Sequence, residues 1–445
     1  MLIRFIVTNF LSFNEESDFN MIAGSFKTHK HHVYNVGKID VLKAAVFYGA
    51  NGSGKSNLMK AINFLKETVR AGGIDQPVDD KKFKLNKNNA EKPISFEIEF
   101  AIGKKIYSYG ISLNHDVVTE EWLYESGITV EDKLVFERKT TNTGKISIKV
   151  ADKYVKTQKD AMLIELLQEN LLQKNKLLLG LNDVLKNEEI KSVKDWFEFK
   201  LILIFPETHF KGILPLLLSD NKLKRHYDQF LQSFDTGINQ LGSEVIDFEK
   251  YEIDPKEKMT RKEIETHMKT VPFLLNNETN SVIIKDNGKL VVKKAISIHK
   301  DNLGKDTPFM ISEESDGTMR LIDFIPAFYN LLQQDFTYLI DEIDRSLHPS
   351  LLCAMINKVM ADNGTKGQLI FTSHESNLLD LEIFRQDEIW FVEKDNKFGD
   401  TKMYSLSEFK PRYDLDIRKG YLKGRFGAIP FLAKLNDLNW DNYGA

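Results

Sequence analysis

The run G-A-N-G-S-G-K-S at residues 49–56 constrains the fold of this chain more than any other stretch. It has the form G-x-x-x-x-G-K-[ST], in which glycines let backbone N–H groups turn inward around phosphate oxygens at the start of a helix. Such a loop works only between a buried strand and a helix, and the flanks supply both. Residues 44–48 (A-A-V-F-Y) read as a buried strand, and Leu58, Ala61, Ile62, Leu65 and Val69 recur at helical spacing beyond the loop. Gly49, Asn51, Gly52, Ser53, Gly54 and Asn57 are expected around the phosphates, with Lys55 reaching the β- and γ-phosphates and Ser56 ligating Mg²⁺. The alternative, a surface turn, does not account for strand, glycine loop and helix arriving in this order.

Far downstream, residues 336–340 (F-T-Y-L-I) form an apolar, β-rich run that ends abruptly in Asp341 and Glu342. A central strand delivers two carboxylates to its C-terminal edge in this way. Asp341 is expected to face the metal and Glu342 the attacking water, so the two stretches together predict ATP hydrolysis. Asp344 follows in I-D-R-S-L-H-P, where a loop across a dimer interface would sit, and a helix is expected over residues 349–360. Residues 368–372 (Q-L-I-F-T) read as a further buried strand ending in Ser373 and His374, a histidine placed to hydrogen-bond a γ-phosphate. Upstream, Ser315-Asp316-Gly317-Thr318 opens an apolar-periodic helix carrying Leu321, Ile322 and Ile325. Small residues and free N–H groups there offer a second anion site, suited to a neighbouring subunit's nucleotide; a simple N-cap by Ser315 is the alternative.

The order P-loop, S-D-G-T, D-E, Asp344 and His374 resembles the ABC-type ATPase heads, specifically the SMC-like branch. The N-terminal I-R-F-I-V-T-N-F-L-S-F-N-E resembles that branch's opening strand pair. D-E-I-D-R-S-L-H-P, F-T-S-H-E-S-N-L-L-D and the ending Y-L-K-G-R-F-G-A-I-P are similar to the bacterial AAA15/AAA21 ATP-binding proteins of phage-defence and restriction-linked loci, the RloA and AbiL type. The resemblance implies an α/β fold: a P-loop sheet flanked by helices, an antiparallel β meander, and a short, mainly helical insertion in place of a long coiled coil. It also implies ATP and Mg²⁺ as cofactors and an ATP-sandwich homodimer or higher homo-oligomer, with Lys55 and Ser56 of one subunit facing Ser315, Gly317 and Thr318 of the other. S-D-G-T departs from the family's L-S-G-G-Q at Glu314, Asp316 and Thr318, which bears on the strength of that contact.

With 445 residues and 42% hydrophobic content, the chain can bury a large core, and its net charge of −4 gives no global reason to expect nucleic acid as a partner. The single cysteine, Cys353, excludes a disulfide framework and a C-x-x-C zinc hook. The first ten residues are too short and too alternating for a signal peptide, and no apolar run approaches ~20 residues, so no membrane is expected and the reading is cytoplasmic.

The chain divides on pattern into an N-terminal head part with the P-loop and meander (1–150), a mainly helical insertion lobe with a β-hairpin (151–305), the C-terminal head part (306–408) and a basic, aromatic tail (409–445). Period-two alternation over 94–150 predicts the meander. Residues 154–270 read mostly helical, with a strand at 201–205 and a sign-alternating run at 254–269 that forms a solvated helix face. That run also holds Arg261 and His267, a spacing compatible with the loose R-x(4–6)-H pattern of HEPN ribonucleases, which is the lesser alternative to the solvated face. Residues 280–298 read as a hairpin around Asp286-Asn287-Gly288. In the tail, Arg412, Tyr413, Arg418, Lys419, Tyr421, Lys423, Arg425 and Phe426 suit a docking strip for a partner protein, or phosphate contacts and base stacking.

The expected mechanism closes two heads over Mg²⁺-ATP, with Glu342 activating water, His374 sensing the γ-phosphate, and head association gating a separately encoded, nuclease-like effector in phage defence. Two rivals use the same head: a DNA-repair ATPase that clamps duplex DNA, and a scaffold that binds ATP with little hydrolysis. An OLD-type nuclease would need a TOPRIM domain beyond His374, where Asp414 and Asp416 alone are too little, and a GTPase would need an N-K-x-D motif that is missing.

Overall fold

The computed structural model describes residues 1–127, 131–208, 221–234, 236–252, 259–269, 273–276 and 281–429. They fall into two compact units, one of residues 1–206, 330–344 and 353–445 and the other of residues 207–329 and 345–352. Residues 151–206 therefore pack with the head, and the start of the charged run at 254–258, Asn280 and the tail from 430 onward lie outside the described residues.

The larger unit is built on two sheets. The first has six strands in the order Leu201–Ile204, Thr337–Ile340, Gln368–Thr372, Ala44–Tyr48, Ile389–Lys394 and Thr401–Ser405. All neighbours pair parallel except the last two, which are antiparallel. The strands Ala44–Tyr48 and Gln368–Thr372 are buried at every position, as strands covered on both faces must be, which is why they read as unbroken apolar runs. The helix Lys55–Ala71 packs Leu58, Ala61, Ile62, Leu65 and Val69 inward and stops at Gly72, whose φ of 68° closes the helix with N–H bonds to Thr68 and Val69 carbonyls.

The second sheet is the expected meander. Seven antiparallel strands run in the order Ile146–Val150, Lys133–Thr140, Val117–Glu125, Lys105–Asn114, Ile94–Ile102, Leu2–Thr8 and Ser17–Asn20, so the N-terminal strand pair completes its edge. One buried amide ties the two sheets. Gln368 accepts from the Leu2 N–H (2.6 Å) and donates to the carbonyls of Leu2 (2.9 Å) and Leu42 (3.0 Å). Phe19 of the second sheet meets Phe47 and Trp390 of the first edge to face, at centroid distances of 4.9 and 5.2 Å.

The smaller unit holds an antiparallel sheet of Gln240–Asp247, Lys289–Lys300, Ser281–Asp286 and Phe273–Asn276, with Asp306–Met310 also paired to Lys289–Lys300. The predicted hairpin is its centre, and its turn holds Asn287 and Gly288 at φ of 49° and 81°, the conformation that favours this pair. The helical stretches expected in the insertion are present, among them Gln158–Leu166, Glu188–Asp195, Asn221–Ser233 and Arg261–His267, and the strand Gln240–Asp247 joins them.

Two of the alternative readings find their residues already engaged in the fold. Arg261 is not poised for phosphodiester chemistry: its guanidinium donates to the Phe248 and Tyr251 carbonyls (2.6 Å to the latter) and stacks on the Phe248 ring, so it serves the fold. The tail aromatics Tyr421 and Phe426 are not a free stacking strip either. They lie nearly parallel to Phe391 at 5.5 and 5.6 Å, and Phe426 is buried, so burial of their rings against the core strand Ile389–Lys394 outweighs any surface role.

Candidate functional site

The parallel strands deliver their C-terminal ends to one edge of the sheet, and the loop after Ala44–Tyr48 is shaped there by contacts that tolerate only glycine. A Cβ on Gly49 would lie 2.1 Å from the Val392 carbonyl oxygen. One on Gly54, at φ +114°, would lie 2.0 Å from the Thr401 hydroxyl. Thr401 acts as a strut: its hydroxyl donates to the Ser53 carbonyl (2.8 Å) and accepts from the Ser12 hydroxyl (2.7 Å), while Asn57 donates to Ser12 Oγ (2.8 Å). The strut joins the N-terminal strand pair's loop, the P-loop and the last strand of the sheet. Ser56 lies in the first turn of the helix, half-buried, and Asn51 and Gly52 face solvent.

Lys55 is buried, and its Nζ donates to two carbonyls of its own loop, Gly49 (2.6 Å) and Ala50 (3.3 Å). Burial pulls its pKa down to about 8, against the opposing pull of Asp341, Asp344 and Glu342. Ser53 Oγ is buried and has no hydrogen-bond partner, a polar atom aimed into the loop. An orphan hydroxyl, a desolvated ammonium and the helix start are the donor set a triphosphate would satisfy. Ser56 and Asp341 supply the hard oxygen donors that Mg²⁺ takes.

Asp341 is buried at the end of its strand, and Glu342 beyond it adopts a left-handed φ of 49°. A non-glycine residue held there stores strain that its surroundings must support. The support comes from Thr372 at the end of the neighbouring strand. Its hydroxyl donates to Asp341 Oδ1 (2.6 Å) and accepts from the Glu342 N–H (2.7 Å), so one side chain holds both the Asp341 carboxylate and the Glu342 backbone. Sequence reasoning missed Thr372 because a threonine inside a buried strand has the same pattern whether it packs or bridges. Thr401 and Ser12 were missed because nothing local marks a hydroxyl that reaches across the chain.

Asp344 accepts from the His374 backbone N–H (3.1 Å to Oδ1), linking the loop after the carboxylates to the end of the next strand. The His374 imidazole has its pKa lowered, first by desolvation and then by Lys55, with Asp344, Glu342 and Asp341 pulling the other way. Lys55 and His374 both lie in the field of Asp341, Asp344 and Glu342, where the strands Ala44–Tyr48, Gln368–Thr372 and Thr337–Ile340 run side by side.

Ser315, Gly317 and Thr318 belong to the smaller unit. Ser315 Oγ accepts from the Thr318 N–H (3.2 Å) and lies 2.9 Å from its hydroxyl, so the serine caps the helix Asp316–Gln333. Gly317 lies against the Ser346 carbonyl, which a Cβ would approach to 2.8 Å.

Comparison with known proteins gives a family and several similar chains. A family described as "AAA domain, putative AbiEii toxin, Type IV TA system" matches residues 44–380. "Uncharacterized protein MJECL44" of Methanocaldococcus jannaschii is 45% identical over 74 residues, which is 17% of this chain and 20% of that protein, so the chain spans one fifth of the length of that relative. Among solved structures, the SMC head domain from Thermotoga maritima is similar at 12% identity and a TM-score of 0.39, covering 91% of this chain and 98% of that one. An SMC head bound to the C-terminal winged-helix domain of ScpA is similar at 14% identity and a TM-score of 0.40, covering 92% and 99%. No described helix is long and apolar enough to cross a membrane.

Proposed function

The chain belongs to the AAA family described as "AAA domain, putative AbiEii toxin, Type IV TA system", and on that premise we propose that it is a Mg²⁺-dependent ATPase whose nucleotide-driven association gates a separate effector. The observation that supports the reading is the buried Lys55 ammonium in the field of Asp341, Asp344 and Glu342, at the end of a sheet in which their strands are near neighbours. Lys55 leaves its loop carbonyls to hold the β- and γ-phosphates, and Ser56 and Asp341 hold Mg²⁺, which neutralises phosphate charge when bound. Glu342 orients or deprotonates the attacking water, and His374, neutral in this setting, donates one hydrogen bond to the γ-phosphate.

The helix N-terminus at Ser315, Gly317 and Thr318 completes the site of a second copy, so two heads close as a homodimer or larger ring of copies. Asp344 sits at that seam. ATP shifts the open–closed equilibrium only by binding the closed form better, and hydrolysis reopens the pair. In this reading the effector is separately encoded and nuclease-like and acts in phage defence in the cytoplasm; the family description itself names a putative toxin and a toxin–antitoxin system.

Glu342→Gln tests this directly. Removing the base is expected to slow phosphate release about 10²–10⁴-fold while leaving ATP binding intact. Light scattering should then find an ATP-loaded oligomer that the parent forms only transiently. Hydrolysis at the parental rate would refute the assignment of Glu342, and a variant that stays monomeric with ATP would refute head closure.

A further inference from the structure

Histidines cluster a second time, away from the nucleotide pocket, in the turn H-K-H-H at residues 29–32. The chain reaches it through His29 in a left-handed conformation (φ 48°), followed by the 3₁₀ turn Lys30–His32. This brings three imidazoles together: His29 and His32 lie 4.8 Å apart centroid to centroid, and His31 and His32 lie 4.4 Å apart at 82°. One ring nitrogen from each of the three lies within 4.8 Å of the others.

What stands behind the rings separates this cluster from a packed surface turn. His32 Nδ1 is 3.0 Å from Glu388, a fully buried carboxylate that also accepts from the Arg385 N–H (2.7 Å). His29 Nε2 donates to the Leu381 carbonyl (2.8 Å), and the His31 ring hydrogen-bonds the Met360 backbone. Each ring has one nitrogen fixed by an acceptor, leaving its other nitrogen as a lone-pair donor. A carboxylate or carbonyl behind each ring is the arrangement that orients metal-ligating histidines.

We propose that His29, His31 and His32 bind one divalent transition-metal ion of the zinc class, with Glu388 fixing His32 from behind and the fourth position left to water. Three imidazoles suit zinc, cobalt, nickel or copper and not magnesium, so this ion is distinct from the one at the nucleotide. Nitrogens around a tetrahedral zinc at about 2.0–2.1 Å stand roughly 3.3–3.4 Å apart, so the exposed His31 and half-exposed His29 rings turn inward by about an ångström on binding. The ion would stiffen the turn before the strand Val33–Val36, which His29 and His32 already hold to Leu381 and Glu388.

The test uses the full chain, stripped with a chelator and titrated with Co²⁺ followed optically. Wild type should bind one equivalent at micromolar concentration with the intense visible bands of a tetrahedral site, and Zn²⁺ should displace it. His29→Gln and His31→Gln, changes at solvent-reaching positions, should each weaken binding at least about tenfold, while His115→Gln, paired to Asp79 elsewhere, should not. Weak octahedral bands in wild type, no binding at micromolar Co²⁺, or equal binding by the His29→Gln/His31→Gln double variant would each overturn the proposal.

Discussion

Burial pulls the Lys55 ammonium down to a pKa of about 8, against 10.5 for an unhindered lysine. The gap corresponds to about 3 kcal/mol spent keeping the ammonium desolvated at neutral pH. Its sign follows from the depressed value: the folded chain binds fewer protons than the unfolded one between the two pKa values, so this group's penalty on stability fades as pH rises through that window. A triphosphate reverses the desolvation by surrounding Nζ with anionic oxygen and returns the pKa above 10. Binding must therefore take up a proton wherever the free lysine is neutral: about 0.1 at pH 7, about 0.5 at pH 8 and about 0.9 at pH 9. The apparent affinity should fall close to tenfold between pH 7 and pH 9. Calorimetry with a non-hydrolysable ATP analogue in buffers of contrasting ionisation enthalpy reads the proton count directly. Lys55→Arg, which stays charged throughout, should bind without the uptake. A flat proton count across pH 7–9, or the same rise in Lys55→Arg, would refute the claim that burial depresses this lysine.

Two further substitutions probe the supports of the site. Thr372→Val removes the hydroxyl that bridges Asp341 and the Glu342 N–H and should cost about 1–3 kcal/mol of stability. Its kcat should fall well beyond any change in KM and recover in Thr372→Ser, an outcome that a purely packing role would not give. Gly54→Ala drives a methyl into the Thr401 hydroxyl at a φ that L-residues avoid, so denaturant unfolding should show a loss of about 2 kcal/mol or more together with weakened ATP binding. Pairing it with Thr401→Ala should restore part of both; a Gly54→Ala protein as stable as the parent would contradict the close approach.

The P-loop strand and helix were legible because their signals are local: an unbroken apolar run, glycines at fixed positions and one apolar helix face. Asp341, Glu342 and His374 were legible because each ends such a run. The struts were not. Thr372 looks like any core threonine, and the Thr401–Ser12–Asn57 bridge joins residues that only the folded sheet brings together. The strand Gln240–Asp247 was hidden because its outward positions are partly exposed and its alternation is blurred by Gly242 and Ser243. Tyr421 and Phe426 illustrate the opposite error. Basic neighbours suggested a surface for ligands, yet the rings had a buried partner in Phe391.

The strand order also sets a timetable for synthesis. Ala44–Tyr48 lies between Gln368–Thr372 and Ile389–Lys394, both encoded near the far end of the chain. At ordinary translation rates the emerging P-loop strand waits roughly 20–60 s with neither flank paired. A truncated or still-growing chain therefore lacks the neighbouring strands that shape the loop at 49–56. The same interval leaves a flat apolar ribbon open on two sides, which makes the nascent chain a natural client for the holdases that meet polypeptides at the ribosome exit.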